Sequence, residues 1–268
     1  MSMAFTEPAK KHLGQNFLHE RGVIDKIVQA VDPKPGDVIV EIGPGQGALT
    51  FPLLRKHGEL TAIEFDRDLH APLLAAAREH GTLHLVEGDV LGVDFTLLAA
   101  QRADADGRIR LVGNLPYNLS SPILFHALDH APVIRDMHFM LQKEVVERMA
   151  SGPGSKVYGR LSVMLQAYCT VTPLFTVPPG AFRPAPKVDS AVVRLVPKRA
   201  DSIEVADRRM FANVVRAAFG QRRKTLRNAL GGVADTAQIE AAGLRADARA
   251  EQVEVAGFVR LANLLSAE

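Results

Sequence analysis

Between Asp37 and Ala150, short apolar runs alternate with stretches of helical period. Strands are expected at Asp37–Ile42, Glu59–Phe65, Leu83–Glu87, Ile109–Gly113 and Met137–Leu141. Helices are expected at Gln46–His57, Arg67–His80 and Lys143–Ala150, and one more after Ser121. That helix takes Ser121 as its N-cap and Pro122 as its first residue, with Ile123, Leu124, Ala127 and Leu128 facing inward. Strands that largely alternate with helices are not hairpin partners. They require a parallel sheet covered on both faces, which is the α/β class.

The flanks differ. The first twenty residues show no clear period, and a helix at Arg21–Val31 ends before Pro33, Pro35 and Gly36. Beyond Gly152–Ser155 a helix is expected at Leu161–Tyr168, followed by the β-branched runs Thr170–Val177 and Ser190–Val196 as an antiparallel pair at the sheet edge. After Pro197 only helical patterns remain, at Asp207–Phe219, Lys224–Leu230, Thr236–Ala242 and Gln252–Leu265. Two domains are therefore expected, 1–198 and 199–268, with the boundary near Lys198–Ser202.

Composition excludes several classes. Hydrophobic residues at 47% and charged residues at 23% are inconsistent with a disordered chain. There is no apolar run of membrane-spanning length, and Met1–Lys11 lacks a signal-type apolar stretch. The single cysteine, Cys169, fits a reducing compartment, so the cytoplasm is expected. The formal charge of +2 conceals an asymmetry. Ala181–Leu230 holds twelve Lys/Arg against four Asp/Glu, a net of +8, and the rest of the chain nets −6. Such a segment suits a polyanionic partner, or forms a solvated basic face.

The strand ends carry the chemistry. Glu41-Ile42-Gly43-Pro44-Gly45-Gln46-Gly47 falls at a strand-to-helix turn, where Gly43 and Gly45 allow close approach of backbone to a ligand. Glu64 ends the next strand, and its carboxylate can accept hydrogen bonds from ribose hydroxyls. These two features suit a nicotinamide cofactor and S-adenosylmethionine equally. Asp89, in Glu87-Gly88-Asp89-Val90, is placed to accept from an adenine amino group, and Asn114-Leu115-Pro116-Tyr117 follows the fourth strand. In an open α/β sheet all four positions converge beyond the carboxyl ends of the strands.

Asn114-Leu115-Pro116-Tyr117 resembles the motif of S-adenosylmethionine-dependent methyltransferases that act on exocyclic amines of nucleobases. Three further blocks resemble the ribosomal RNA adenine dimethyltransferases: Lys11–Leu18, Gln142–Val145 and Phe182–Ser190. The match runs from about residue 10 to about residue 230 and departs at Ala103–Gly107 and over the last thirty residues. It is strongest with the bacterial small-subunit branch. The resemblance implies a Rossmann-like methyltransferase domain with a small all-helical C-terminal domain that docks RNA. It implies S-adenosylmethionine as cofactor, S-adenosylhomocysteine as product and no metal. The implied partner of a monomeric enzyme is the small ribosomal subunit with its 16S rRNA, two adjacent adenosines in a hairpin loop being the target. Asn16 and Leu18 are implied to close over the methionine end of the cofactor, Gly43 to contact it through backbone, Glu64 to hold the ribose and Asp89 the adenine. Glu41 either orients the glycine turn or serves the fold alone.

The motif's composition suits the reaction. An adenine amino nitrogen is a poor nucleophile because its lone pair is conjugated into the ring. The Asn114 side-chain oxygen and the Leu115 carbonyl can accept its two N–H groups and aim the lone pair, while Pro116 stiffens the turn. Tyr117 offers a face for an extruded base, and Phe182 is either the opposite wall or a core aromatic. His126 and His130 lack a third ligand at metal spacing, Cys169 has no base partner, and Asp104 and Asp106 belong to a solvated loop.

Competing readings are a large-subunit rRNA methyltransferase of the macrolide-resistance type, a ribosome-assembly factor with secondary catalysis, and, more remotely, a nicotinamide oxidoreductase. The cations Arg222, Arg223, Lys224 and Arg227 near a helix start are expected to contact phosphates. Replacing Arg222, Arg223 and Lys224 together with Ala should weaken RNA binding and flatten its log–log salt dependence by about two units. Titrations at several salt concentrations check this: weaker binding with an unchanged slope would point to a packing defect in the helical domain, and no change in either would return the block to a solvated face.

Overall fold

The computed structural model describes residues 8–10, 13–102, 107–199, 202, 204–221 and 223–267. The chain separates into two compact units, Met1–Val146 with Thr172–Pro197, and Glu147–Val171 with Lys198–Glu268. The break after Pro197 coincides with the loss of strand signal. Residues 147–171, which the sequence placed with 1–198, cluster instead with the C-terminal helices.

The first unit is built on strands β2 (Ile39–Ile42), β3 (Glu59–Glu64), β4 (Thr82–Glu87), β5 (Ile109–Asn114), β6 (Ile134–Gln142) and β9 (Ser190–Pro197) and on β7 (Cys169–Val177) from Thr172 onward, in the spatial order β4-β3-β2-β5-β6-β9-β7. β2 pairs in parallel with β3 and with β5, β3 with β4, and β5 with β6, while β9 runs antiparallel to β6. The connecting helices are α2 (Thr50–His57), α3 (Arg67–Ala77), α4 (Phe95–Arg102) and α5 (Ser120–Asp129), with α1 (Arg21–Val31) preceding the sheet. This is the expected α/β Rossmann-like architecture. The central strand β2 is buried along its whole length.

Four local readings change. Gln46–Leu49 is a turn and α2 starts only at Thr50, because the positive φ of Gly45 and Gly47 (55° and 81°) is incompatible with a helix. α5 starts at Ser120 with Leu119 as its N-cap, so Ser121 does not cap it and Pro122 is its third residue, where a missing N–H costs no helical bond. The Ser120 hydroxyl donates to the Pro116 carbonyl at 3.1 Å, tying the helix to the turn before it. α4 was not expected. Its eight residues bury Phe95, Leu98 and Ala99, and Asp94 accepts from the Thr96 and Leu97 N–H groups. A further sheet of only two residues per strand joins β1 (Phe17–Leu18) to β8 (Phe182–Arg183), a pairing too short to produce a sequence period.

The second unit takes in the second half of α6 (Lys143–Ala150) and α7 (Arg160–Tyr168), followed by α8 (Arg208–Gly220), α9 (Leu226–Ala229), α10 (Thr236–Ala241) and α11 (Val255–Ser266). α8 buries Phe211, Val214 and Val215, and α11 buries Phe258, Leu261 and Leu265, each set at helical spacing. The rings of Phe219 and Phe258 lie 5.6 Å apart. Cys169 is buried at the head of β7, and burial pushes its thiol up to about 12.

The amino ends of the central strands are locked by one buried cation. Arg110 on β5 binds Asp136 through Nε at 2.8 Å and Nη2 at 2.9 Å, Asp37 through Nη1 at 2.7 Å, and the Val31 carbonyl at 2.7 Å. Burial alone would raise the Asp136 carboxyl, but the Arg110 hydrogen bonds and charge outweigh it and hold it below the usual carboxylate range. Replacing Arg110 with Met would leave two buried carboxylates short of their main partner. Arg135 and Arg194 still reach Asp37 and Asp136, at 2.7 Å and 3.2 Å. The expected loss of stability is therefore at the lower end for a broken buried pair, about 3 kcal/mol, to be read from urea unfolding.

Candidate active site

The sheet reverses its winding direction at β2, with β3 and β4 to one side and β5 and β6 to the other. A crevice opens at such a point beyond the carboxyl ends of the strands. Here the pocket is lined by Gly43, Gly45, Glu64, Asp89, Asn114 and the Leu13–Leu18 segment, among others. The structure thus brings together Asn16, Leu18, Gly43, Gly45, Glu64, Asp89, Asn114 and Leu115. Tyr117 and Phe182 are not among the residues lining the pocket.

Gly43 (φ 67°) closes the β2–β3 ladder by donating to the Ile63 carbonyl at 2.9 Å. Gly45, also left-handed, donates its N–H to Glu64 Oε2 at 3.1 Å. A side chain there would meet the Phe17 ring at 3.1 Å. Glu64 accepts through its other oxygen from the Asp66 N–H at 2.8 Å and is 6% exposed. Its burial raises the carboxyl, and the two backbone N–H groups pull the other way. Each oxygen retains acceptor capacity for a ligand hydroxyl. Glu41 lies deeper and accepts from the Thr50 hydroxyl at 2.6 Å. It therefore ties β2 to the first residue of α2 and braces the glycine turn between them.

Asp89 follows β4, is exposed, and caps the turn Val90–Gly92 by accepting from the Leu91 N–H at 2.9 Å. Asn114 ends β5 and donates through Nδ2 to the Asn16 carbonyl at 3.0 Å, which leaves its side-chain oxygen as an acceptor. The Leu115 N–H is held by the Met140 carbonyl at 3.1 Å. Tyr117 is half-buried, its hydroxyl 2.7 Å from Ser190 Oγ. Phe182 is 2% exposed and packs in the core with Leu18, Val177 and Val192. Of its two expected roles the structure supports the core aromatic, because the β1–β8 pairing buries it.

The sequence missed the anchors of the segment that covers the pocket. Asp66 is buried and accepts from Lys10 Nζ and, at 2.8 Å, from Gln15 Nε2, while Lys10 also reaches Asp68 at 2.6 Å. The only sequence signal was Asp66 as an N-cap of α3, a role it also fills by accepting from the Asp68 N–H. His126 and His130 place ring nitrogens against the Val93 and His126 carbonyls, at 2.8 and 3.0 Å. In the second unit Arg223 and Lys224, just before α9, and Arg227 within it are exposed, and the start of α9 is held by Leu226 and Arg227 N–H bonds to the Ala248 and Ala246 carbonyls. Arg222, Asp104 and Asp106, like Lys11 and His12 of the first motif block, lie outside the described residues.

The model of the family described as ribosomal RNA adenine dimethylase matches residues 6–267. The chain belongs to this family. Two relatives named ribosomal RNA small subunit methyltransferase A, from Xanthomonas campestris pv. campestris (strain B100) and Xanthomonas oryzae pv. oryzae (strain PXO99A), are each 71% identical over 98% of this chain and 99% of their own length. A dimethyladenosine transferase from Plasmodium falciparum superposes with a TM-score of 0.78 at 26% identity, covering 91% of this chain and 95% of that one. The 23S rRNA methyltransferase ErmE gives 0.70 at 25%, covering 94% and 100%.

Burial pushes the Glu41 carboxyl up from 4.5 to about 8; the Thr50 hydrogen bond opposes this and the nearby Glu64 charge adds to it. A carboxyl raised in the folded state favours folding when protonated and loses that advantage as pH rises from its unfolded toward its folded value. Glu41→Gln should therefore match the wild type near about pH 4.5 and become more stable by at least about 1.4 kcal/mol near about pH 8. Chemical unfolding across that range measures the difference, and parallel curves would contradict a protonated Glu41.

Proposed function

We propose that this chain, an S-adenosylmethionine-dependent rRNA adenine dimethyltransferase, modifies two adjacent adenosines in a 3′-terminal hairpin loop of small-subunit (16S) rRNA. It does so as a monomer, without a metal, and acts in small-subunit biogenesis. The observation that carries the reading is the convergence of Glu64, Asp89 and Asn114-Leu115 on one pocket in a member of this family. The 71% identity to small-subunit enzymes, against 25% to ErmE, favours the small subunit over the large one.

The residues fit the cofactor. Glu64 has acceptors for ribose hydroxyls, Asp89 for an adenine amino group, and the Gly43–Gly45 turn presents backbone rather than side chains. S-adenosylmethionine supplies an activated methyl group on a positive sulfur, so the protein's task is positioning. Asn114 Oδ1 and the Leu115 carbonyl accept the two N–H groups of the target amine and turn its lone pair outward. The Asn16–Asn114 bond fixes which atom of the amide faces the base. A second transfer needs only one remaining N–H and room for the first methyl. Tyr117 presents its ring face to the base. Arg223, Lys224 and Arg227, with Arg222, contact rRNA phosphates.

Mapping labelled methyl groups on undermethylated small subunits and on large subunits tests the substrate. Label confined to the large subunit would overturn the assignment. Asn114→Ala should slow single-turnover methylation at saturating cofactor by about 100-fold, the scale seen when one positioned polar group at a reacting centre is removed. RNA affinity should stay within about twofold, because the phosphate contacts remain. A single-turnover rate near wild type would exclude Asn114 from the chemical step.

A further inference from the structure

The Phe182–Ser190 block ends in a residue to which the reaction as described gives no task. Ser190 is fully buried. A buried hydroxyl without a partner is costly, and that of Ser190 meets the Tyr117 phenol oxygen at 2.7 Å, across 73 residues of sequence. Ser190 lies within a strand ladder, and Tyr117 sits in the turn that follows β5 of the same sheet. Ser190 opens β9 opposite Gln142 of β6, and the Lys143 N–H donates to the Asp189 carbonyl at 2.9 Å. β6 in turn pairs with β5 up to Asn114 opposite Met140, whose carbonyl also takes the Leu115 N–H.

We propose that Ser190 is a positioning residue for methyl transfer: its hydroxyl anchors the Tyr117 phenol and so fixes the ring face against which the target adenine stacks. The inference rests on the base-stacking role of Tyr117 given above. The phenol oxygen lies at the far end of the side chain, so tethering it stops the ring from swinging about Cα–Cβ and leaves the faces unobstructed. The hydroxyl is thereby engaged internally, and Tyr117 contributes a surface rather than a proton. Burial raises the phenol pKa, against the opposing Ser190 bond, which keeps the ring neutral for stacking.

The test is single-turnover methylation of undermethylated small subunits at saturating S-adenosylmethionine. Ser190→Ala and Tyr117→Phe should each slow the reaction by about tenfold, with cofactor affinity within about twofold of wild type. The double variant should be no slower than about twofold below either single one, because both remove the same bond. Ser190→Thr, which keeps the hydroxyl, should recover most of the rate. A wild-type rate for Tyr117→Phe beside a slow Ser190→Ala would make Ser190 a strand residue only, and fully additive losses would do the same. If Ser190→Ala does not fold, Tyr117→Phe decides alone, since it leaves β9 intact. Tyr117→Ala separates the two levels: a wild-type rate there would remove the base-stacking role itself, whereas a large loss with an unaffected Tyr117→Phe would remove only the anchor.

Discussion

β2 is hydrogen-bonded in parallel to β3 on one side and to β5 on the other, and the site depends on that double pairing. Parallel strands must return through helices, so every strand from β2 to β5 ends at the same edge of the sheet. Gly43, Glu64, Asp89 and Asn114, dispersed over about seventy residues of sequence, thereby come to one wall. Because the chain leaves β2 toward β3 and β4 and then returns to β5 on the other side of β2, a crevice opens there rather than a closed layer. At the far edge Arg110 binds Asp37 and Asp136, joining the amino ends of β2, β5 and β6. One end of the sheet is thus fastened and the other left open to a ligand.

The two ends treat buried charge differently. At the amino end, acid and base neutralise each other within 3 Å. At the site, Glu64 is held by two backbone N–H groups and Glu41 by one hydroxyl. Glu64 keeps acceptor capacity on both oxygens, an environment suited to a ligand that brings hydroxyl donors. The energetic cost falls on Glu41, whose burial without a cation drives it toward the protonated form.

Much of this arrangement is legible in the linear chain. The alternation of strand and helix, the positive-φ glycines of Gly43–Gly47 and the acidic residues closing β3 and β4 are all local signals, because backbone dihedrals and residue period act over a few positions. Helix starts are less legible. α5 takes its first turn from a Ser120 bond back to Pro116, an arrangement that Ser121 and Pro122 do not reveal. α4 escaped notice because its eight residues bury few side chains and border a polar loop. Residues 147–171 read as a continuation of the sheet domain, although the chain folds them with the C-terminal helices.

The sequence alone determined the parallel α/β class, the strand ends at which the pocket lies and several of the residues lining it. Tertiary structure decided how those residues are held. Asp66 receives Lys10 and Gln15 from more than fifty residues away, Asn114 finds the Asn16 carbonyl, β1 meets β8, and Tyr117 meets Ser190. It also decided that Phe182 faces the core. Such contacts leave no periodic trace, because their partners are set by strand order and by the route of the covering segment. A side chain's own neighbours in sequence carry no record of either.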